Sequence, residues 1–339
     1  MAFTVVLIEN SDSAVLLAQL RQALDGMEYQ VSEGLPNTPG KLLFAVALDE
    51  CGCNDSYYQL LRQLRGNPYL LQGSTAGLVV TGHSELYTKS IARTLALSAN
   101  MAGCAFLGRP LVEATGSLSN FNTQADIKGT DVHTAYLLAV RELAERLEAW
   151  EGPRPLRRVV AVHASVRKTS NTLALWELVR QHLERVEVAE YCLLNGAVAD
   201  CAGCSYTACL HFGQQGGCFY GGVMVDEVFP ALRSCDALVM LCANYNDALS
   251  ANLTACVNRL TSLFRQTRFY DKRLYALVVS GYSGGDLVAQ QVLSSLNMNK
   301  SFYLPPYFAL LETANDAGSL LRQPGVKQRA EVFAQRMMA

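Results

Sequence analysis

Residues 159–183 read VVAVHASVRKTSNTLALWELVRQHL. The stretch opens with an apolar run, continues through a loop rich in hydroxyl side chains, and ends in a segment with the apolar spacing of a helix. A continuous apolar run before an amphipathic helix is typical of a strand that is buried on both faces, as in a parallel sheet. The stretch therefore predicts a strand, a loop, and a helix that begins near Ser170.

The same alternation occurs in the rest of the chain. In the first half the apolar runs are FTVVLIE, KLLFAVALD and AGLVVTG, and a helix-like segment follows each of them. Parallel strands need a long crossover connection, which is usually a helix, so this order is typical of α/β proteins. We therefore predict an α/β fold of doubly wound parallel sheets.

The length of 339 residues suggests two domains, at roughly 150 residues per domain. The best linker candidate is EGPRPLRR, Glu151 to Arg158, because it places two prolines and a glycine after a charged helix-like segment. The sequence thus predicts a first domain over residues 1–150, a linker over 151–158, and a second domain over 159–339.

The two halves resemble each other when the chain is compared with itself at an offset of 199 residues. A Gly-x-Ser loop, Gly82 to Ser84, falls on Gly281 to Ser283, and Glu113 falls on Glu312. Leu78, Val79, Val80, Leu97, Asn100 and Leu111 match as well. We interpret this as a tandem duplication. The alternative is that unrelated units of one architecture share an apolar pattern.

Composition excludes several classes of protein. Half of the residues are hydrophobic, 17% are charged and the net charge is −2, which argues against a disordered tail and against a nucleic-acid-binding surface. No apolar run is long enough to cross a bilayer, and the first residues lack the features of a signal peptide. The 11 cysteines are an odd number and partly clustered, which favours a reducing cytoplasm over a disulfide framework. We therefore expect a cytoplasmic protein with no membrane or nucleic-acid partner.

The loop after the strand at Val159 has the composition of an anion site. Backbone N–H groups and hydroxyls at the beginning of a helix favour a negative ligand such as a phosphate. The candidate residues are Ser165, Arg167, Thr169, Ser170, Asn171 and Thr172. The alternative is a loop in which Ser170 only caps the helix and Arg167 is solvated. Neither a dinucleotide fingerprint nor a P-loop is present.

Two further loops are predicted at the same edge of the sheet. A buried strand at Ala237 to Leu241 leads into the polar turn CANYND, and YALVVSGYSGGDL repeats the arrangement with glycines. In open parallel sheets, ligands bind outside the carboxyl ends of the strands. The three loops therefore indicate one binding site.

This half resembles the NAD(P)H-dependent FMN reductase family of flavodoxin-like proteins, and within it the iron–sulfur flavoproteins. The phosphate loop is similar to the S-x-R-x-x-S-N-T pattern of that family, and Cys242 to Tyr245 stands where the family has S-P-x-Y. The resemblance covers about Val159 to the C-terminus. It implies FMN binding by the phosphate loop and by Ala243, Asn244, Tyr245, Asn246, Ser280, Gly281, Tyr282, Gly284 and Gly285.

The chain departs from the family pattern in ways that shape the expectations. Ala243 replaces the usual proline, and Cys242 is either a reactive thiol near the flavin or a small residue that ends a buried strand. The first copy has none of the phosphate-loop residues. We therefore expect it to bind no flavin and to stand in for the second subunit of the homodimers of this family. One chain would then be a pseudo-dimer, and such chains would form homo-oligomers.

The segment CAGCSYTACLHFGQQGGC holds four candidate metal ligands, Cys201, Cys204, Cys209 and Cys218. Four thiolates on a flexible, glycine-bearing loop suit a [4Fe–4S] cluster. The spacing is C-x2-C-x4-C-x8-C, whereas the resembling flavoproteins have C-x2-C-x2-C followed by a variable gap. Unligated or redox-active thiols and a zinc site are the alternatives. His211 is expected to face solvent or to pack rather than to bind a metal, and Cys51 and Cys53 are expected to be structural.

The expected function follows from the resemblance. It implies a flavin-dependent oxidoreductase in which FMN receives electrons from NAD(P)H or a ferredoxin, with a cluster as one-electron partner. The acceptor would be a small molecule or a protein. The alternative is a non-catalytic electron carrier or flavin-binding partner protein.

Overall fold

The structure is a computed structural model that describes residues 2–194 and 198–339. It divides into two compact units, Met1–Gly152 and Pro153–Ala339. The first strand of the second unit begins at Arg158, the last residue of the predicted linker.

The first unit is a five-stranded parallel sheet with helices between its strands. Its strands are β1 (Phe3–Ile8), β2 (Tyr29–Ser32), β3 (Lys41–Ala47), β4 (Thr75–Thr81) and β5 (Ala105–Ala114). Its helices are α1 (Ser13–Ala23), α2 (Asp55–Gly66), α3 (Thr88–Met101), α4 (Asn122–Lys128) and α5 (Val132–Glu148). The strand order is β2-β1-β3-β4-β5.

The second unit is built in the same way. Its strands are β6 (Arg158–His163), β7 (Glu187–Cys192), β8 (Ala237–Ala243), β9 (Arg273–Ser280) and β10 (Ala309–Thr313). Its helices are α6 (Asn171–Arg180), α7 (Tyr206–Gln214), α8 (Phe229–Ser234), α9 (Ala251–Phe264), α10 (Gly285–Val292) and α11 (Val326–Met338). The strand order is β7-β6-β8-β9-β10, and all pairings are parallel.

Both sheets therefore have the 2-1-3-4-5 order of the flavodoxin-like fold. The predicted fold class, two tandem doubly wound parallel sheets, is confirmed. The offset of 199 residues is kept in the strand pairing as well. Leu78 pairs with Leu111 and Val80 with Glu113 in the first sheet, while Leu277 pairs with Leu310 and Val279 with Glu312 in the second.

The core explains why the apolar runs form strands. All residues of β9 are buried, and so are all but the last of β8, because helices cover both faces of the sheet. On one face, Trp176 of α6 and Phe333 of α11 pack against Tyr275 of β9. Each large apolar side chain buried in this way stabilises the fold by roughly 1.5–3 kcal/mol.

This arrangement fixes the position of the loops that the sequence singled out. Since β6, β8 and β9 are neighbouring parallel strands, the loops at their carboxyl ends lie at one edge of the sheet. Among the described residues, no helix combines the length and the apolar character that a membrane span requires.

Candidate functional site

The loop between β6 and α6 presents backbone donors at the beginning of a helix. Ser170 is the N-cap residue, as predicted, and its Oγ accepts a hydrogen bond of 3.2 Å from the backbone N–H of Leu173. The N–H groups of Asn171 and Thr172 occupy the first two helical positions, where no partner exists within the helix. These two donors and the positive end of the helix dipole make the loop suitable for an anion.

The side chain of Asn171 has a structural role that the sequence did not reveal. Its Nδ2 donates to the carbonyl oxygens of Ala314, at 3.2 Å, and Asp316, at 2.9 Å. Its Oδ1 accepts from the N–H of Gly318 at 3.0 Å. Asn171 therefore ties the loop after β10 to the beginning of α6, and only its backbone N–H is available for a ligand.

The loop after β8 contains a tight two-residue turn. Tyr245 and Ala248 exchange backbone hydrogen bonds of 3.2 and 3.1 Å, and Asn246 and Asp247 between them have φ values of 54° and 58°. Positive φ at both central positions defines a type I′ turn, for which Asn and Asp are among the favoured residues. The turn holds the ring of Tyr245 at the edge of the sheet, 55% exposed.

The loops after β8 and β9 are joined by Asn244. Its Nδ2 lies 3.1 Å from both Ser280 Oγ and the Ser283 carbonyl oxygen, and 3.3 Å from Asp247 Oδ1. Gly284 completes the contact, because its φ is +83° and a Cβ there would stand 1.9 Å from Asp247 Oδ1. Only glycine meets both conditions at position 284.

These loops enclose a pocket of about 630 Å³ at the carboxyl edge of the second sheet. Nine of the residues predicted to bind the cofactor line it: Ser165, Thr169, Ser170, Asn171, Thr172, Ala243, Asn244, Tyr245 and Gly281. The structure therefore brings the three predicted loops together around one cavity.

Six predicted residues lie outside the pocket lining: Arg167, Asn246, Ser280, Tyr282, Gly284 and Gly285. The guanidinium of Arg167 is turned to Glu190 on β7. Ser280 is buried and accepts from Asn244, while Asn246 and Gly284 shape the turns behind the lining residues. Tyr282 is 79% exposed. These residues support or border the pocket, and their direct contact with a cofactor stays a prediction.

The pocket also has lining residues that the sequence reasoning missed: Ala164, Val166, Leu194, Ser250, Ala251, Asn252, Val279, Ala314 and Asn315. Ser250 had a recognisable signal, since a serine directly before a helical pattern is a typical N-cap. Asn315 lies just after β10 in the segment LETAND, and a polar residue after an apolar run is the same signal that identified the other loops.

The lining combines polar groups with small apolar ones. Among the described lining residues there is no lysine, arginine, aspartate or glutamate. Two polar atoms on these residues, Asn244 Oδ1 and Ser250 Oγ, are buried without a hydrogen-bond partner. A group of this size with hydrogen-bonding edges and an anionic end therefore fits the donors present better than a purely apolar ligand.

Residues 157–316 match the family model described as NADPH-dependent FMN reductase. The match begins just before β6 and ends just after β10, so it spans all three loops of the pocket. The second unit therefore carries the sequence pattern of this family. A comparison with curated protein sequences found no match.

Solved structures to which the chain is similar each align with about half of it. One is RosB with bound 8-demethyl-8-formylriboflavin-5′-phosphate, at 14% identity and a TM-score of 0.43, over 53% of this chain and 76% of that one. A second is the Trp repressor binding protein from Bacillus subtilis, at 19% identity and a TM-score of 0.36, over 52% of this chain and 99% of that one. A third is the NAD(P)H:quinone oxidoreductase from Methanothermobacter marburgensis, at 13% identity and a TM-score of 0.39, over 54% of this chain and 95% of that one.

Cys242 does not present its thiol to the pocket. It is completely buried in β8, and this burial strongly raises the pKa of its thiol. A buried neutral thiol is inert. Of the two roles considered for Cys242, the small residue that ends a buried strand agrees with the structure.

The cysteine segment differs from the expected flexible loop. Ser205 caps the helix α7, and Cys209 lies inside that helix, whereas Cys201 and Cys204 precede it and are exposed. His211 is exposed on the same helix, as predicted. The segment is thus partly helical because Ser205 satisfies the N–H of Ala208 and no proline interrupts Tyr206–Gln214.

Three of the four thiols lie near one phenol. Desolvation, together with the neighbouring Cys204, Cys201 and Cys218, raises the pKa of Tyr220. In the described part of the chain, no group of three or more His, Cys, Asp or Glu side chains is arranged to hold a metal ion.

The segment is fastened to α9 at both of its ends. The buried guanidinium of Arg259 donates to the Ala199 carbonyl oxygen at 3.1 Å and to the Gly221 carbonyl oxygen at 2.7 Å. Asn258 binds Asp200 at 3.1 Å, and the Oγ of Ser262 donates to the carbonyl oxygen of Gly217. One face of α9 therefore holds the cysteine segment, while residues at its N-terminus line the pocket.

The first unit has a smaller pocket at the corresponding edge of its own sheet. Its volume is about 340 Å³, and its lining includes Asp12, His83 and Gly116. His83 Nε2 lies 3.0 Å from Asp12 Oδ1. Hydrogen bonds from Ser11 and His83 lower the pKa of Asp12, so a carboxylate stands where the second unit has a hydroxyl-rich loop.

Proposed function

We propose that the second unit binds FMN in the 630 Å³ pocket and functions as a flavin-dependent oxidoreductase that receives electrons from NAD(P)H. The observation that carries this proposal is the coincidence of the pocket with the three loops spanned by the family match. FMN supplies hydride acceptance and one-electron release when it is bound.

The residues present suit the two ends of this cofactor. We assign the phosphate to the beginning of α6, where the N–H groups of Asn171 and Thr172 lie beside the hydroxyls of Ser165 and Thr169. We assign the flavin ring to the space between the loops after β8 and β9. That part of the pocket is lined by Asn244, Tyr245 and Gly281, among others.

The role of the chain in this chemistry is binding, orientation and the exclusion of water from one face of the ring. Gly281 has no room for a side chain, since a Cβ would stand 2.9 Å from Asn315 Oδ1, and this keeps the backbone close to the pocket. Tyr245 and Tyr282 are exposed at the edge of the site, on the side open to a donor or acceptor. We propose no acid or base, because hydride transfer to a flavin requires positioning only.

The direct test is purification under anaerobic conditions, followed by an absorption spectrum and a flavin assay. We expect bound or reconstitutable FMN, and oxidation of NADPH or NADH coupled to an electron acceptor. FMN binding without turnover would support the electron-carrier alternative. A chain that neither contains FMN nor binds added FMN would refute the proposal.

The [4Fe–4S] cluster is a separate question, on which we base no electron-transfer step. The described residues do not fit it, because no group of three or more His, Cys, Asp or Glu side chains among them is arranged to hold a metal ion. The cluster stays a prediction of the sequence. Iron and acid-labile sulfide in equal amounts, at about four of each per chain, would support it. A chain that contains FMN but neither iron nor acid-labile sulfide would favour unligated thiols in this segment.

We also propose that the chain is cytoplasmic, that its acceptor is a small molecule or a protein, and that a ferredoxin is the alternative donor. We further propose that one chain is a pseudo-dimer and that such chains assemble into homo-oligomers. Light scattering after size-exclusion chromatography measures the assembly: a mass equal to one chain of 37.0 kDa would contradict the oligomer.

A further inference from the structure

Arg167 lies in the phosphate loop but is held outside the pocket. Its neighbour Val166 and the nearby Thr169 line the cavity, whereas its own Nη2 donates to Glu190 Oε1 on β7. The side chain of Arg167 is 65% exposed and that of Glu190 only 14%. The backbone of Arg167 is therefore beside the proposed phosphate site, and its charge is paired elsewhere.

The carboxylate of Glu190 is fixed by groups other than Arg167. Its Oε2 accepts from the indole Nε1–H of Trp176 at 3.0 Å, and its Oε1 lies 3.4 Å from Nε2 of His163. The Nδ1 of His163 accepts from the N–H of Ser165 at 3.2 Å, so the proton of the neutral ring is on Nε2 and points to Glu190. Two buried donors thus keep this carboxylate in place whether or not Arg167 is bound to it.

The pocket lacks a cation of its own. None of its described lining residues is a lysine or an arginine. A phosphate dianion at the beginning of α6 gains its strongest additional partner from an arginine, which binds phosphate through two N–H groups. Arg167 is the arginine of this loop, and it has a long, exposed side chain that can turn about its own stem.

We propose that Glu190 competes with the phosphate of FMN for Arg167 and thereby sets how strongly the pocket prefers FMN to riboflavin. This inference rests on the proposed function. In the unliganded protein Arg167 is paired with Glu190; the phosphate draws it into the site, and breaking the ion pair opposes this movement. The preference for the phosphorylated flavin is consequently smaller than the loop alone would give.

The experiment measures the affinities of the full-length chain for FMN and for riboflavin by flavin fluorescence. The quantity compared between variants is the affinity for FMN divided by the affinity for riboflavin. Riboflavin lacks the phosphate, so effects on the ring site cancel in the ratio. Glu190→Gln keeps the size of the side chain and an acceptor for Trp176 but removes the charge. We expect the ratio to rise by about two- to five-fold, the range for releasing one partly exposed ion pair.

Glu187→Gln is the matched control. Glu187 is on the same strand and is paired with Arg158 at 3.0 Å, but at the opposite end of β6 and β7. We expect it to leave the ratio unchanged. Glu190→Asp is the second charge-sensitive variant: its shorter carboxylate loosens the pair, so the ratio should shift in the same direction by a smaller factor.

Arg167→Ala separates competition from a structural effect. Arg167→Ala alone should lower the ratio. In the double variant with Arg167→Ala, Glu190→Gln should have no further effect on the ratio. A ratio unchanged by Glu190→Gln while both flavins bind would overturn the inference and leave the proposed function standing. An increase of the same size in the Arg167→Ala background would also overturn it. If the wild-type chain binds neither flavin, both proposals fall.

Discussion

At the scale of single residues, Gly284 is the position where backbone conformation and space both require glycine. Its φ is +83°, and a Cβ would stand 1.9 Å from Asp247 Oδ1. We expect Gly284→Ala to lower the free energy of unfolding by about 1–2 kcal/mol through the left-handed backbone. The clash should add about 1–3 kcal/mol. Gly284→Ala should also weaken FMN binding, because it displaces the turn that contains Tyr245.

The control for this substitution is Gly203→Ala. Gly203 has a φ of +71°, but nothing lies within 4 Å of the position that its Cβ would take, and it is not a lining residue of the pocket. It should therefore show the backbone effect alone, with unchanged FMN affinity. Urea denaturation of both variants measures the difference. Equal destabilisation of the two would show that Asp247 moves aside without penalty, contrary to our reading of the turn.

His163 predicts a pH dependence of stability. Burial lowers its pKa, with Glu190 opposing and Arg167 assisting this shift. The unfolded chain takes up a proton at this residue below about pH 6.5, whereas the folded chain resists protonation. The stabilisation by neutral His163 is therefore complete above that pH and is lost as the pH falls below it. His163→Gln should lose less stability than wild type on acidification, measured by urea denaturation; an equal loss would contradict this.

At the scale of secondary structure elements, α9 connects the pocket to the cysteine segment. We expect Arg259→Met to destabilise the fold by about 1.5–3 kcal/mol for each charged hydrogen bond lost. It should also increase the rate at which Cys201, Cys204 and Cys218 react with a thiol reagent, because both ends of the segment are released. Mass spectrometry of the labelled peptides measures this rate at each cysteine.

Arg268→Ala is the control for Arg259→Met. Arg268 follows the end of α9, is exposed, and contacts Phe264 at the end of the same helix. Its loss should not change the labelling of the three cysteines. If Arg259→Met folds and labels at the wild-type rate, the segment is held by its other contacts, those of Asn258 and Ser262, and Arg259 is not the fastening residue.

The elements also show what the sequence could and could not predict. The strands buried on both faces, such as β8 and β9, were predictable because burial of both faces demands an unbroken apolar run. The edge strand β7 was not, because its residues are only partly buried and its pattern is mixed. The same strand supplies Glu190, whose contacts to Arg167 and Trp176 depend on chain segments brought together by the fold.

The site shows the same division. Parallel topology brings the three loops to one edge, so the five lining residues of the loop after β6 could be named from their position after a predicted strand. The four in the loops after β8 and β9 were named from the resemblance to the FMN reductase family. The sequence could not predict which atoms of those residues are free to bind a ligand. The side chain of Asn171 is used by three backbone groups of the loop after β10, and this loop is distant in sequence. The helix α7 was missed because the cysteine and glycine content of its segment suggested a loop.

At the scale of the whole molecule, the chain contains two sheets of one topology, and the pairing of β4 with β5 recurs in β9 and β10 with the same register at an offset of 199 residues. This supports the interpretation as a duplication, since unrelated units need not share register. The two pockets nevertheless differ in charge. Asp12 stands at the beginning of α1, where the corresponding helix α6 begins with Ser170 as its cap.

This difference predicts the flavin stoichiometry. We expect the full-length chain to bind one FMN, because the pocket of the first unit is about half as large and its carboxylate repels a phosphate. Titration with FMN, followed by fluorescence, measures the number of sites per chain. Thr172→Asp, which places a carboxylate at the beginning of α6, should abolish that binding, and Asp12→Asn should not affect it. Two equivalents of FMN in the wild type, or one that survives Thr172→Asp, would instead place a flavin in the first unit.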